Sequence, residues 1–447
     1  MKVRAVSIAL LLTLALGCRQ DDAHDLLFVS LDTVRRDHLP TYGYERDTAP
    51  RIDALAKRSV VFDNAFAQHV NTHPSHASMF TGLYPHVHGS MVNGQILRPG
   101  PRTLAQILHE AGFRTAAFVS GATMLAVTGL DRGFVNYDDA IAGPRRDGHK
   151  TALRAVEWLR ALPEGERFFL LVHLFDAHGP YEPRAPHTDR FRAPDPGPAL
   201  DRIPPYQRRG GPGNEPEVHL NRYVDRYDAA IRYEDDQVGL LLDALDLERT
   251  VVVVLSDHGE TLGERYHPLD HGARVFDEQI RIPLIVHAPG LEPRRVPDLV
   301  QTVDLLPTLL ELLGVPTPPD LEVQGRSLLP LLAGRQVGPL SVFSSAVTLP
   351  KRYDRSYRLK PGRQLHSLRT DRWKLIVYPG VEQDYVELYD LARDPGETQD
   401  QADAKPQLRD ELHARLRQWL ALGRSQTAPE VSPGLRRYLE DLGYVIP

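Results

Sequence analysis

The chain has 447 residues, 42% of them apolar and 25% charged, with a formal net charge of −6. That composition is globular and excludes disordered, collagen-like and fibrous classes, and the acidic balance gives no electrostatic basis for a nucleic-acid partner. The length suits one large core with a smaller unit beside it.

The N-terminus reads as an export address. Lys2 and Arg4 precede an apolar run from Val6 to Leu16 that is too short to span a bilayer. The run ends at Leu14-Ala-Leu-Gly-Cys18, which is similar to a lipoprotein signal box. Cleavage before Cys18 would leave a diacylated cysteine at the new N-terminus; a plain secretory signal with an incidental cysteine is the alternative. Cys18 is the only cysteine, so no disulfide can form within one chain. The expectation is a signal peptide over 1–17 and a tether over 18–25. The remainder is expected on the periplasmic side of a bacterial envelope, held to the outer membrane by its N-terminal lipid.

Five unbroken apolar runs follow: 26–31, 115–120, 168–174, 251–255 and 283–287. Runs without alternation predict strands covered on both faces. Between them lie helical patterns: Thr48 to Lys57, with Thr48 as cap and Pro50 early; the stripe Leu104, Ile107, Leu108, Ala111, stopped by Gly112; and Val303 to Leu313, ended by Gly314. Strands alternating with helices predict an α/β fold with a mostly parallel sheet. Residues 183–217 are rich in Pro, Gly and Arg and read as a long excursion flanking the site. A second unit is expected from about Ser341, with strands at 373–378 and 386–389 and a helix from Leu408 to Leu422.

The polar residues that interrupt this pattern fall at strand ends. Asp32 follows the first run, Asp176 and His178 the third, and Asp257-His258 the fourth. Ligands bind beyond the carboxyl ends of strands in open α/β sheets, so these residues are expected at one edge. Asp32, Asp257 and His258 have the donor types for a divalent metal, and Thr72 can complete the set. Pro74 near the first turn would aim a helix N-terminus at an anion held by Thr72. Metal coordination would activate the Thr72 hydroxyl as a nucleophile.

The segment 71-NTHPSHASMFTGLYPHVHG-89 resembles the nucleophile segment of the sulfatases, Cys-x-Pro-Ser-Arg, Thr-Gly, then Pro-x-x-His-Gly. Thr72 stands in place of the cysteine that becomes formylglycine, and His76 in place of the arginine. Six further segments in the family's order (30–44, 173–183, 256–264, 271–286, 303–314 and 388–397) make the chain similar to the sulfatase family of the alkaline phosphatase superfamily.

The resemblance implies an alkaline-phosphatase-like sandwich over 26–340, with a large mostly parallel sheet flanked by helices. A small C-terminal α+β subdomain with antiparallel strands would occupy 341–447. It makes Asp32, Thr72, Asp257 and His258 ligands of one divalent ion (Mn, Zn, Ca or Mg). A second metal on Asp176 and His178 is the less favoured arrangement. Thr72, His178 and His271 are then catalytic, His271 standing where sulfatases place a lysine. His88 would orient the nucleophile, Asn93 and His76 would contact the ester oxygens, and His86 is expected at the surface. Histidines in place of Arg and Lys resemble the threonine-nucleophile phosphodiesterases. A sulfated threonine lacks the exit that collapse of an aldehyde hydrate provides, whereas water can open a phosphothreonine. The expected activity is hydrolysis or transfer of a sulfate- or phosphate-type ester, with the phosphoester favoured. The substrate would be a sulfated or phosphorylated small molecule, glycan or lipid headgroup. The alternative is an inactive sulfatase-like lipoprotein that binds an anionic glycan.

Overall fold

The computed structural model describes residues 24–201, 203–208, 218–265, 268–338, 340–347, 364–380, 383–423 and 433–441. Cys18, the signal segment and residues 209–217 of the Pro-rich excursion lie outside the described residues.

The chain opens on β1 (Asp25–Leu31), buried along its whole length. Pro50, whose fixed φ suits a first helical position, starts α1 (Pro50–Ala56). Thr48 does not cap this helix. Its hydroxyl donates to the His38 carbonyl (2.6 Å), and Ala49 takes the capping position. β2 (Val60–Phe66), α2 (Thr72–Thr81) and α3 (Pro85–His88) follow. Gly82 ends α2 at φ +66°, a left-handed conformation that glycine adopts without penalty. α4 (Leu104–Glu110) starts on a capping box in which Thr103 and Gln106 satisfy each other's amides. Next come β3 (Arg114–Val119), β4 (Asn136–Asp138), α5 (Gly148–Arg160), β5 (Phe168–Leu174) and α6 (Leu220–Leu242). β6 (Thr250–Ser256), α7 (Asp277–Ile280), β7 (Arg281–His287), β8 (Arg294–Gln301), α8 (Leu305–Leu312) and α9 (Leu329–Leu332) complete the larger part.

Eight strands make one sheet in the order β4-β3-β5-β1-β6-β7-β2-β8. Only β7 runs against its neighbours, β6 and β2; the other pairs are parallel. Successive residues of β1 feed two cores. Leu26 and Phe28 pack with Phe80 of α2, Leu108 of α4 and Leu309 of α8. Leu27, Val29 and Leu31 pack with Ile52 of α1, Ala152 of α5 and Tyr227 of α6. Both faces being covered is the physical cause of the unbroken apolar runs.

The sequence pattern misses β2, β4, β8, α5 and α6. β2 carries Asp63-Asn64 at its centre, where its register shifts against both neighbours. β8 is an edge strand, the position that tolerates its two arginines and Pro297. The stripe of α6 is disguised because its buried face includes Asp228, Glu234 and Asp235.

The smaller part is a four-stranded antiparallel sheet, β9 (Val342–Val347), β10 (Gln364–Arg369), β11 (Trp373–Tyr378) and β12 (Tyr385–Asp390), in the order β12-β11-β10-β9. α10 (Pro406–Leu420) packs on it through Leu412, Leu416 and Trp419, and α11 (Pro433–Asp441) packs beside Ala122 and Phe175 of the larger part. The two sheets are joined at several points. The Ser345 amide of β9 donates to the Gln68 carbonyl (2.9 Å). Trp419 stacks on Phe343 (4.8 Å) and meets Tyr84 (5.0 Å) and His86 (4.2 Å) edge-on. His86 is therefore an interface residue and not the surface residue that its sequence context predicts.

Lys374 of β11 is wholly buried, with Nζ 2.8 Å from Asp277 of α7 and 2.7 Å from Glu397. Removing the ammonium leaves Asp277 with Arg369 at 3.3 Å and, among the described residues, Glu397 with no cation nearer than Arg265 at 3.9 Å inside the joint between the sheets. Lys374→Met should cost about 3–5 kcal/mol, read as a lower midpoint in equilibrium denaturant unfolding.

Candidate active site and metal centre

β1 lies between β5 and β6, with Leu31 level with Leu174 and with Ser256. The three central strands therefore end together, and the residues after them meet. Asp32 is fixed by its amide, which donates to the Leu174 carbonyl (3.0 Å). Thr33 turns the chain at φ +60°, a left-handed conformation costing a β-branched residue about 1–3 kcal/mol. The turn delivers the Thr33 amide to Asp257 Oδ1 (3.1 Å), and the Tyr227 hydroxyl donates to the Thr33 carbonyl (2.7 Å). The His258 amide also donates to Asp257 Oδ1 (2.9 Å). One oxygen of Asp257 is thus committed to backbone; the other, Oδ2, is buried with no hydrogen-bond partner.

Asp32 is divided in the same way. Its Oδ2 accepts from Thr72 Oγ1 (3.0 Å) and faces His173 Nε2 (3.1 Å), while Oδ1 is buried and unpartnered. His258 Nδ1 lies 3.0 Å from the Gly259 carbonyl and must donate to it, which leaves a lone pair on Nε2; that atom too is buried without a partner. Ligand atoms of Asp32, Asp257 and His258 lie within 4.8 Å of one another.

These orphaned atoms fit a divalent cation. Burial first, and then the Asp257 carboxylate, push Asp32 well above the usual carboxylate range. Burial acts to raise Asp257 as well, but the His258, His76 and His173 imidazoles bring it below that range. Two carboxylates at 4.8 Å or less repel by at least about 3 kcal/mol at an effective dielectric constant of about 20. Each buried polar atom left unsatisfied adds about 1–3 kcal/mol. A doubly charged ion removes both penalties, and two carboxylate oxygens, an imidazole nitrogen and a hydroxyl are ligands of Mn, Zn or Mg type. His76, His173 and Asp257 form a second close group. There, however, His76 uses Nδ1 on the Thr72 carbonyl and Nε2 on Ser30 Oγ, both at 2.8 Å.

Thr72 opens α2 at the same edge. β2 runs parallel to the central strands and brings the chain there. Asn93 Oδ1 accepts the His73 amide (2.9 Å), capping the helix from outside, and its Nδ2 is buried without a partner. The remaining predicted residues separate into two groups. His178 and His271 are in the cluster: their rings lie 4.8 Å apart, and His271 is 4.7 Å from His258. His88 does not bond Thr72; it meets Ser78 Oγ (3.0 Å) and accepts the Ser90 amide (3.2 Å), tying α3 to the far half of α2. His76, expected at the ester oxygens, instead has both nitrogens engaged beneath the helix. Burial lowers His76 and His173 to about 4.

Sequence reasoning missed His173 and Glu260, whose Oε1 is 3.2 Å from His271 Nδ1. A histidine inside the apolar run Val172-His173-Leu174 was the available signal, since a buried polar group needs a partner. The excursion does flank this edge: Tyr206 and Gln207 both donate to the Leu269 carbonyl (3.1 Å each), two residues before His271.

Asp32→Asn should abolish stoichiometric metal in elemental analysis. The amide oxygen can keep the Thr72 and His173 contacts while the carboxylate repulsion disappears. Without metal this variant should therefore melt above the unsubstituted protein, and added metal should no longer raise its Tm. His173→Ala, which removes an outer partner of Asp32, should weaken metal binding by about 10–100-fold in a competition titration.

Comparison with known proteins agrees with this geometry. The profile described as Sulfatase matches residues 24–315, and that of the N-sulphoglucosamine sulphohydrolase C-terminal region matches 269–422. The Delta 4,5-hexuronate-2-O-sulfatase of Bacteroides thetaiotaomicron is 26% identical over 418 residues, 83% of each chain. Rat (Rattus norvegicus) arylsulfatase K is 25% identical over 440 residues, 87% of this chain and 75% of its own. The crystal structure of the phosphonate monoester hydrolase of Agrobacterium radiobacter superposes with a TM-score of 0.72 at 22% identity, covering 90% of this chain and 97% of the other. A 2-O GAG sulfatase superposes at 0.71 with 23% identity, covering 93% and 96%. At those identities the likeness to the solved structures is one of fold. With the profile spanning most of the chain and the alkaline-phosphatase-type sheet beneath it, this chain belongs to the sulfatase family of ester hydrolases.

Proposed function

We propose that the protein hydrolyses a phosphate- or sulfate-type ester through a covalent Thr72 intermediate, and that phosphoesters are its better substrates. The observation that carries this is the Thr72 hydroxyl, buried at the N-terminus of α2 and hydrogen-bonded at 3.0 Å to Asp32 beside three orphaned metal-ligand atoms. When bound to Asp32, Asp257, His258 and Thr72, a divalent ion supplies Lewis acidity, lowering the hydroxyl pKa and neutralising the ester oxygens.

The protein's own groups supply the rest. Asp32 Oδ2 orients the Thr72 hydroxyl and takes its proton as Oγ1 attacks phosphorus. The bond to the leaving oxygen breaks, and phosphothreonine forms. His271, held by Glu260 as a buried carboxylate holds a catalytic imidazole, gives its proton to the leaving alcohol. It takes one back from the water that opens the phosphothreonine, and Thr72 regains its hydrogen from Asp32. His178 donates Nδ1–H to the Gly179 carbonyl (2.7 Å), and burial, then His271, hold it well below the usual imidazole range. It is therefore neutral, and its ring, beside His271, is proposed to face the ester. Asn93 Nδ2 is the donor nearest the helix start for an ester oxygen. The sulfate ester route is disfavoured because a sulfated threonine has no aldehyde collapse to expel the sulfate.

The hexuronate-2-O-sulfatase acts on a sulfated sugar by its name, and the ester is proposed to sit on a glycan, small molecule or lipid headgroup. Among the described residues no helix is long and apolar enough to cross a membrane, and attachment to the periplasmic side of the envelope is proposed through lipidation of Cys18. Cys18→Ser should move the protein from the membrane fraction to the soluble one with its turnover unchanged.

Thr72→Ala should lower kcat by at least about 1000-fold while leaving most of the metal bound, because three side-chain ligands remain. Thr72→Ser keeps the hydroxyl and should stay within about 100-fold of the parent. Intact-mass measurement during turnover should find a phosphoryl adduct on the peptide containing Thr72. A parent protein far more active on sulfate than on any phosphate ester, with Thr72→Ala equally active, would overturn the proposal.

A further inference from the structure

His178 is held from several sides. Its backbone carbonyl accepts from Arg145 (3.4 Å), as does that of Pro180 (3.0 Å). Its ring lies flat on Phe175, with centroids 4.2 Å apart and planes at 16°, and meets His271 edge-on. Phe175 is fully buried and has no slack beneath it, because a Cβ at Gly121 would stand 2.7 Å from the ring. The apolar cluster that closes around Phe175 is completed by Leu435 and Leu439 of α11, with Ala122.

α11 has nine residues, too few to be stable as an isolated helix in water. Its order and its docking on Phe175 are therefore one event. It also lies beyond residue 422, where the match to the C-terminal family profile ends.

We propose that α11 is a positioning element of the active site: Leu435 and Leu439 press Phe175 against His178 and so fix the imidazole where the ester binds. The proposal rests on the reading of His178 as substrate-facing. It makes the last described helix of the chain a condition for full activity.

The test uses the full chain with three changes: Leu435→Ala with Leu439→Ala, Leu435→Met with Leu439→Met, and a stop after Gly423. Each is measured for kcat and KM on an aryl phosphodiester, for bound metal, and for hydrogen–deuterium exchange in peptides covering 173–181. The alanine pair and the truncation should lower kcat by about tenfold or more, change KM less, speed exchange over 173–181 and retain the metal. The methionine pair, which refills the volume, should restore all three. Unchanged kcat and unchanged exchange over 173–181 in both shortened forms would overturn the proposal. So would a loss of activity accompanied by metal loss and global unfolding that methionine does not repair, since α11 would then be a general stabiliser. A parent protein that turns over no ester would defeat the hydrolase reading instead, and exchange over 173–181 would still decide the role of α11.

Discussion

Two carboxylates that share one dry space set the terms for everything around them. Asp32 and Asp257 are both fully buried, and each spends one oxygen on protein donors while the other has none. The cost is of the order of several kcal/mol, too large for a domain of marginal stability to carry without an offset. The surrounding parts make sense as devices that hold this arrangement still. Thr33 accepts a left-handed backbone to present its amide, Tyr227 pins the Thr33 carbonyl from α6, and Thr72 and His173 occupy the inner oxygen of Asp32.

Burial acts to lower His258, but the Asp257 and Asp32 carboxylates raise it above the usual imidazole value, whereas the four histidines behind it carry no charge at ordinary pH. His69 and His73 are pushed down to about 3, and His76 and His173 to about 4, in each case chiefly by burial. They are neutral scaffold at ordinary pH. His76 illustrates the difference from the family pattern most directly. A guanidinium there would bring a permanent charge to the nucleophile, whereas this imidazole bridges the helix carbonyl of Thr72 to Ser30 of β1. Charge balance is thereby left to a bound cation, and the positioning of Thr72 to a neutral hydrogen-bond bridge. This division suits the hydroxyl nucleophile proposed above, which needs an electrophilic partner more than it needs a second cation.

How much of this was legible depended on which force shaped each residue. The central strands could be read because double burial makes them uniformly apolar, and their polar successors stood out as Asp32, Asp176, His178 and Asp257-His258. β2 and β8 could not, since a register shift and an edge position admit Asp63, Asn64 and Pro297 without penalty. The site followed the same rule. Residues at strand ends were found by position, while His173 sits within a strand and Glu260 within a loop, and their partners come from distant parts of the chain. His88 and His76 could be placed in the nucleophile segment but their partners (Ser78 and Ser90, Ser30 and the Thr72 carbonyl) could not, because a motif reports proximity in sequence and not the hydrogen bonds each ring makes. The sequence pattern of α6 hid its contribution for a related reason: its buried carboxylates serve other loops, as when Glu234 accepts the Ala177 amide (2.9 Å).

The clasp formed by Trp419 has a consequence for biosynthesis. The nucleophile segment continues into α3, and His86 of α3 meets the Trp419 carbonyl across 333 positions of sequence. Gln68, just ahead of the segment, is held by Thr302 and Val303. A ribosome adding about 5–20 residues per second takes roughly 17–70 seconds to cover the gap between His86 and Trp419. Throughout that interval the segment bearing Thr72 exists without its clasp, its apolar face open to whatever holds the nascent chain. The contact between α3 and α10 is therefore one that only a chain extended past Trp419 can make.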